Sequence, residues 1–135
     1  MKFMMLVKSA LNSQNKPPPK ELMEAMGKLE QEARTAGALI ETGGLLPPAV
    51  AGARVTIRGG KMIVTDGPFA EAKEVVGGYA IFEVSSKAEA LEWSKRFMEL
   101  HTRHWKEWEG ELEMRQFFQG EACGAEVGEA RAHAV

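Results

Sequence analysis

Two helix-length apolar stripes, each lying between strand-length runs, constrain most of what this chain can become. Residues 3–7, Phe3-Met4-Met5-Leu6-Val7, are a continuous apolar run. That length and composition predict a strand buried on both faces. Pro17-Pro18-Pro19 come next, and proline is tolerated ahead of a helix and in its first turn but not later. Leu22, Met26, Leu29, Ala33 and Ala36 then recur at spacings of four, three, four and three. This is a single helical stripe, and Gly37 stands where a left-handed cap belongs.

Residues 38–42 predict a short strand, ended by Gly43-Gly44, with Pro47-Pro48 in the loop that follows. Residues 54–58 and 61–65 flank Gly59-Gly60, a strong signal for a two-residue hairpin. That register pairs Ile57 with Met62 and Val55 with Val64 on one face. It also opposes Arg58 to Lys61, a mild like-charge cost. Residues 78–84 predict the next strand. Ser86 and Glu89 then match a capping box, which opens a helix over residues 87–100 with Ala90, Trp93 and Phe97 on one stripe. Residues 101–110 form a Trp-rich extension or loop. Residues 111–118 alternate, with Leu112, Met114, Gln116 and Phe118 on one face.

The order strand-helix-strand, hairpin, strand-helix-strand places two helices on one sheet face. The expected class is α+β, a ferredoxin-like βαββαβ arrangement with an extra β-hairpin strand. The strands carry apolar residues on both sides, as Ile81 beside Phe82 shows, yet two helices cover one face. A second copy of the same sheet is the economical cover for the other, so a homodimer is expected.

With 44% apolar residues, the chain can fill one core. Residues 1–118 are expected to form one domain and residues 119–135, rich in Gly, Ala and Glu, a flexible tail. A net charge of −2 argues against nucleic acid as partner. No run approaches the ~18 apolar residues of a membrane span, and the apolar N-terminus is too short for a secretory signal. Cys123 is the only cysteine, which excludes an intrachain disulfide and supplies no metal cluster. A cytoplasmic protein is the simplest expectation.

Asp66 is the sole aspartate among 19 acidic residues. Aspartate favours caps and turns where glutamate favours helices, and this one opens Asp66-Gly67-Pro68-Phe69. Glu71, Lys73, Gly77-Gly78 and the only tyrosine, Tyr79, follow closely. Asp66, Glu71, Lys73 and Tyr79 are therefore the candidate ligand-binding set, with Asp66 also the candidate catalytic base. The structural alternative is that Asp66 merely bonds its own turn and that the glycine pair marks a β-bulge. His101, His104 and Glu107 have the spacing of a partial metal site, but the preferred reading is a helix end where histidines meet terminal carbonyls. No metal and no cofactor are expected. His104 remains an acid–base candidate. Trp93 fits the core, and Trp105 and Trp108 fit the core edge or a dimer contact.

Asp66-Gly67-Pro68-Phe69-Ala70-Glu71-Ala72-Lys73-Glu74 followed by Gly77-Gly78-Tyr79 resembles the signature of the DGPF branch of the YCII-related proteins. The Met-Lys-Phe-Met start and Gly44-Leu45-Leu46-Pro47-Pro48 fit the same family. The resemblance implies a bacterial, ferredoxin-like, dimeric α+β barrel, in a branch whose members are often encoded beside extracytoplasmic-function sigma factors. Enzymes of the wider group use a His–Asp pair with the histidine on the first helix, and residues 22–36 contain no histidine here. Three readings follow. The first is a small-molecule-binding or regulatory homodimer. The second is an enzyme doing proton-transfer, lyase or hydrolytic chemistry, with Asp66 as base, Lys73 as charge partner and His104 as acid. The third is an assembly module without a ligand.

Overall fold

The computed structural model describes residues 1–10, 16–69 and 73–118. In chain order the elements are β1 (Lys2–Ala10), α1 (Lys20–Thr35), β2 (Leu39–Gly44), β3 (Ala53–Arg58), β4 (Lys61–Asp66), β5 (Glu74–Glu83), α2 (Lys87–His104) and β6 (Gly110–Gln116). Four strands form one antiparallel sheet in the order β2-β5-β1-β6, while β3 and β4 form a separate two-stranded ribbon. A mixed α+β chain with two helices and this strand order is consistent with the ferredoxin-like expectation.

Both helices begin and end where local chemistry dictates. Pro19 precedes α1, and its carbonyl accepts the Met23 N–H at 3.1 Å. Gly37 takes φ of 75° just past the helix end, so Ala38 N can bond the Ala33 carbonyl at 2.9 Å. At the start of α2 the Ser86 hydroxyl accepts from Glu89 N at 3.1 Å. The Glu89 carboxylate reaches back to the Ser85 hydroxyl and N–H instead of to Ser86. The box is thus closed one residue earlier than the Ser-x-x-Glu pattern implies. The second helix runs to His104, past the expected end at residue 100. The reason is that the His101 side chain is buried and continues the apolar face of the helix for one more turn.

One face of the main sheet holds the core. Phe3 and Met5 of β1, Phe82 of β5 and Leu39 of β2 pack with Ala33 and Ala90 of the helices, and Trp93, Leu112 and Met114 close around them. Leu22 of α1 is wholly buried. Trp93 lies 5.9 Å from the Phe82 ring, a core position as its stripe implied.

Two expectations need correction. The run at residues 3–7 is not buried on both faces within one chain: Phe3 and Met5 are buried, whereas Met4 and Leu6 are only half-buried. Successive side chains alternate across the sheet, and both helices lie on the side of Phe3 and Met5. The hairpin, in turn, adds no strand to the main sheet. Its register is the expected one, Val55 opposite Val64, Ile57 opposite Met62 and Arg58 opposite Lys61, with Gly59 and Gly60 at φ of 58° and 77°. It stands off as a ribbon because an eight-residue loop, residues 45–52, carries the chain away from the edge strand β2. Val55, Ile57, Met62 and Val64 are 61%, 72%, 69% and 65% exposed.

Among the described residues no helix is long and apolar enough to cross a membrane. The expected tail, residues 119–135, and with it Cys123, lies outside the described residues.

Candidate functional site: the uncovered sheet face

Period-two alternation sets which side chains face away from the helices. Along β1 these are Lys2, Met4, Leu6 and Lys8, and cross-strand pairing adds Tyr79 and Ile81 of β5 and Glu111, Glu113 and Arg115 of β6. Glu41 and Gly43 of β2 complete the row beside Ile81 and Tyr79. The β1–β5 register shifts between Val7 and Lys8: Val7 opposes Gly78 and Lys8 opposes Val76, so Gly77 is the extra residue. That is the β-bulge weighed for the glycine pair, and it returns Val76 to the same face as Tyr79. The centre of the face is therefore apolar, built from Met4, Leu6, Val76 and Ile81, and its borders are charged.

Tyr79 is the polar group placed most specifically on this floor. Its ring lies across Gly43, where a Cβ would stand 2.9 Å from Tyr79 Cε1. A glycine at that cross-strand position is what lets the ring lie flat. The phenol hydroxyl donates to Glu41 Oε2 in a short hydrogen bond. The bond to Glu41, with some desolvation and the carboxylate's charge, pushes the phenol pKa up, so the hydroxyl stays protonated. The Thr42 hydroxyl donates to the Tyr79 carbonyl at 2.9 Å and ties the two strands. Across the sheet, Lys8 Nζ donates to Glu113 Oε1 at 2.6 Å. The pair raises the lysine pKa and lowers that of Glu113, chiefly through that hydrogen bond.

The four predicted ligand residues are not all drawn together. Tyr79 bonds Glu41 and not Asp66. Asp66 is exposed at the end of β4, opposite Ala53. Lys73 is exposed just ahead of β5, and Glu71 lies outside the described residues. Among the described residues no hydrogen bond or ion pair joins Asp66 to Lys73, Tyr79 or His104, and the Asp66 carboxylate bonds no described backbone N–H.

The residues after Asp66 have a legible structural task. Gly67 N donates to the Gly52 carbonyl at 2.9 Å, and a Cβ on Gly67 would stand 2.1 Å from the Pro48 oxygen. A Cβ on Gly52 would meet that oxygen at 2.4 Å. Only glycine fits either place, so the base of the ribbon is pressed onto the Pro47-Pro48 loop. The Gly67–Pro68 peptide is cis, and the Arg54 guanidinium lies 4.0 Å from the centre of the Phe69 ring. The loop rejoins the main sheet where Leu45 N donates to the Gly77 carbonyl at 2.9 Å.

The histidines sit at the far end of α2. Nδ1 of His101 donates to the Phe97 carbonyl at 3.1 Å, and its ring lies between Phe97 and Trp108 at 4.8 Å and 4.5 Å. Burial holds its pKa below the usual histidine value, against the opposing effect of that carbonyl. Trp108 stacks on Trp105 at 6.2 Å and covers the start of β6, where a Cβ on Gly110 would meet the Trp108 ring at 2.4 Å. His104 is half-buried beside this cluster.

Sequence reasoning missed Glu41, Lys8 and Glu113. A signal was present: continuing the alternation of Met4 and Leu6 by two residues reaches Lys8, and a charge in phase with an apolar row marks its border.

The YCII-related domain family matches the chain over residues 1–104, from the first strand to the end of α2. No curated protein matches it.

Proposed function

Because the chain belongs to the YCII-related domain family, we propose that it is a small-molecule-binding homodimer of the DGPF-motif branch. In this reading the fold is the dimeric, ferredoxin-like α+β barrel. The uncovered faces of two sheets oppose each other, and the ligand lies between them. The carrying observation is the Tyr79–Glu41 pair above a floor of Met4, Leu6, Val76 and Ile81. An apolar floor with a few placed polar groups is the composition of a small-molecule site. The carboxylate accepts, so the ligand presents a hydrogen-bond donor or a cationic group to Glu41 and an apolar part to the floor. Asp66 and Lys73 stand at the ribbon end of the sheet as outer contacts. Many members of that branch are encoded beside sigma factors, and a regulatory role fits that setting.

The binding reading is favoured over an enzyme because no hydrogen bond joins a histidine to Asp66 among the described residues. It is favoured over a bare assembly module because a dry contact would bury the Glu41 charge with only a neutral phenol as partner. The test is a thermal-shift screen with metabolites on the wild type, Glu41→Gln and Asp66→Asn. A ligand at ~100 times its dissociation constant stabilises the protein by ~2.7 kcal/mol. The expected hit loses most of its shift in Glu41→Gln and part of it in Asp66→Asn. A hit that shifts all three proteins equally overturns the site, and one that is turned over by wild type but not by Asp66→Asn makes the protein an enzyme.

A further inference from the structure

We propose that the β3–β4 ribbon is an arm that crosses to a second copy of this chain. There it lies over the end of the uncovered sheet face beside Glu74 and Glu111. This rests on the homodimer reading above and adds to it a specific contact that closes one mouth of the cleft.

Three observations carry it. The first is the apolar face of the ribbon. Val55, Ile57, Met62 and Val64 share one side through the Val55–Val64 and Ile57–Met62 pairs, and all four are mostly exposed. They make a contiguous patch on the order of several hundred Å², the size that marks an interaction surface on a soluble chain. An isolated two-stranded ribbon is marginal in water, so this face needs a cover that the described residues of its own chain do not give.

The second is charge. Arg54, Arg58 and Lys61 make the ribbon cationic, with Asp66 at its base as the only acid in either strand. Arg58 and Lys61 face each other at the turn. Like charges held opposite one another destabilise a ribbon by itself, and an acidic neighbour reverses that cost. The third is where such acids lie. At the ribbon end of the main sheet, Glu74, Glu111 and Glu113 surround Lys8, and all three raise its pKa through their charge. Lys8 and Arg115 both lie against Glu113, which leaves Glu74 and Glu111 as the acidic border at this end of the face. It also borders Val76, so it offers an apolar strip beside the carboxylates, the complement of the ribbon's own pattern. A second copy of the chain supplies both halves at once. In a two-fold pair each arm would meet the other's acidic end, a self-complementary contact.

Charge reversal with rescue tests this by sedimentation velocity across a concentration series. Arg58→Glu/Lys61→Glu changes two exposed side chains at a turn, and Glu74→Lys/Glu111→Lys changes two exposed carboxylates. Each reversal should weaken the dimer by about tenfold or more, and the protein carrying both should regain most of the loss. Ile57→Ser/Met62→Ser should weaken it without rescue by either reversal. Circular dichroism of every variant checks that α1 and α2 persist. A dimer as tight in the arm reversals as in the wild type overturns the arm and leaves a sheet-to-sheet dimer standing. Weakening without rescue overturns the contact between arm and acidic end. A wild type that stays monomeric at high micromolar concentration overturns both the arm and the homodimer, whereas ligand binding to that monomer would still be read in the thermal-shift screen.

Discussion

The two sheets of this chain treat the same residue types in opposite ways. In the four-stranded sheet, Phe3, Met5 and Phe82 are buried under two helices. In the ribbon, Val55, Ile57, Met62 and Val64 face outward. Both obey period-two alternation, and both have the register their turns and patterns dictate. The difference is the partner layer. Helices α1 and α2 return onto the main sheet, while the ribbon leaves it through the loop of residues 45–52, which holds Pro47, Pro48 and Gly52. Alternation tells which face a side chain joins, and says nothing about whether that face is covered.

Core truncation should separate the regions most strongly. Leu22→Ala, at a wholly buried site, should cost about 3 kcal/mol in urea unfolding. Ile57→Ala should cost no more than about 0.5 kcal/mol. Both belong in the Arg58→Glu/Lys61→Glu background at a protein concentration where sedimentation shows monomer, so that a single chain is read. Equal costs would mean that the ribbon packs on its own domain, and the contrast would be lost.

The joint between the regions comes next. Gly67→Ala drives a methyl into the Pro48 carbonyl, which is backbone and yields only by moving the loop. The expected cost is about 2 kcal/mol. Hydrogen exchange should quicken in β3 and β4 and stay unchanged in β1 and β5. A uniform change would show that ribbon and sheet unfold as one unit.

The smallest effect is in pH. His101 is buried in the helix-covered layer and has its pKa depressed, so the unfolded chain binds a proton more readily than the folded one. The stability due to this residue is complete above its ordinary value of ~6.5 and is lost as pH falls from there towards the depressed value. The urea midpoint should therefore drop as pH falls through and below about 6.5, and His101→Gln should flatten that drop. Ribbon exchange, corrected for intrinsic rates, should show no matching step, because neither β3 nor β4 contains a histidine. An unchanged slope in His101→Gln would remove His101 as its cause.

Much of the candidate site was harder to read than the fold. Tyr79 was found because it is the only tyrosine and follows a glycine pair. Its partner Glu41 lies 38 residues earlier and was passed over, because one glutamate on an edge strand resembles any other until the strands are paired. Asp66 stands out in the sequence as the only aspartate. Yet the clearest local role at this turn belongs to Gly67, whose need for space comes from Pro48, a residue no local pattern ties to it.

The sequence by itself determined the order of elements, the caps at Gly37 and Ser86, the Gly59-Gly60 turn and the register of the ribbon. Each follows from contacts within a few residues: a carbonyl with an N–H, a positive φ that glycine allows, an alternation that two facing strands must share. Only the tertiary structure decided that the hairpin stands apart from the main sheet and that Tyr79 meets Glu41 rather than Asp66. Those outcomes depend on which layers meet and how far a loop carries the chain, and such distances are set by packing between elements remote in sequence.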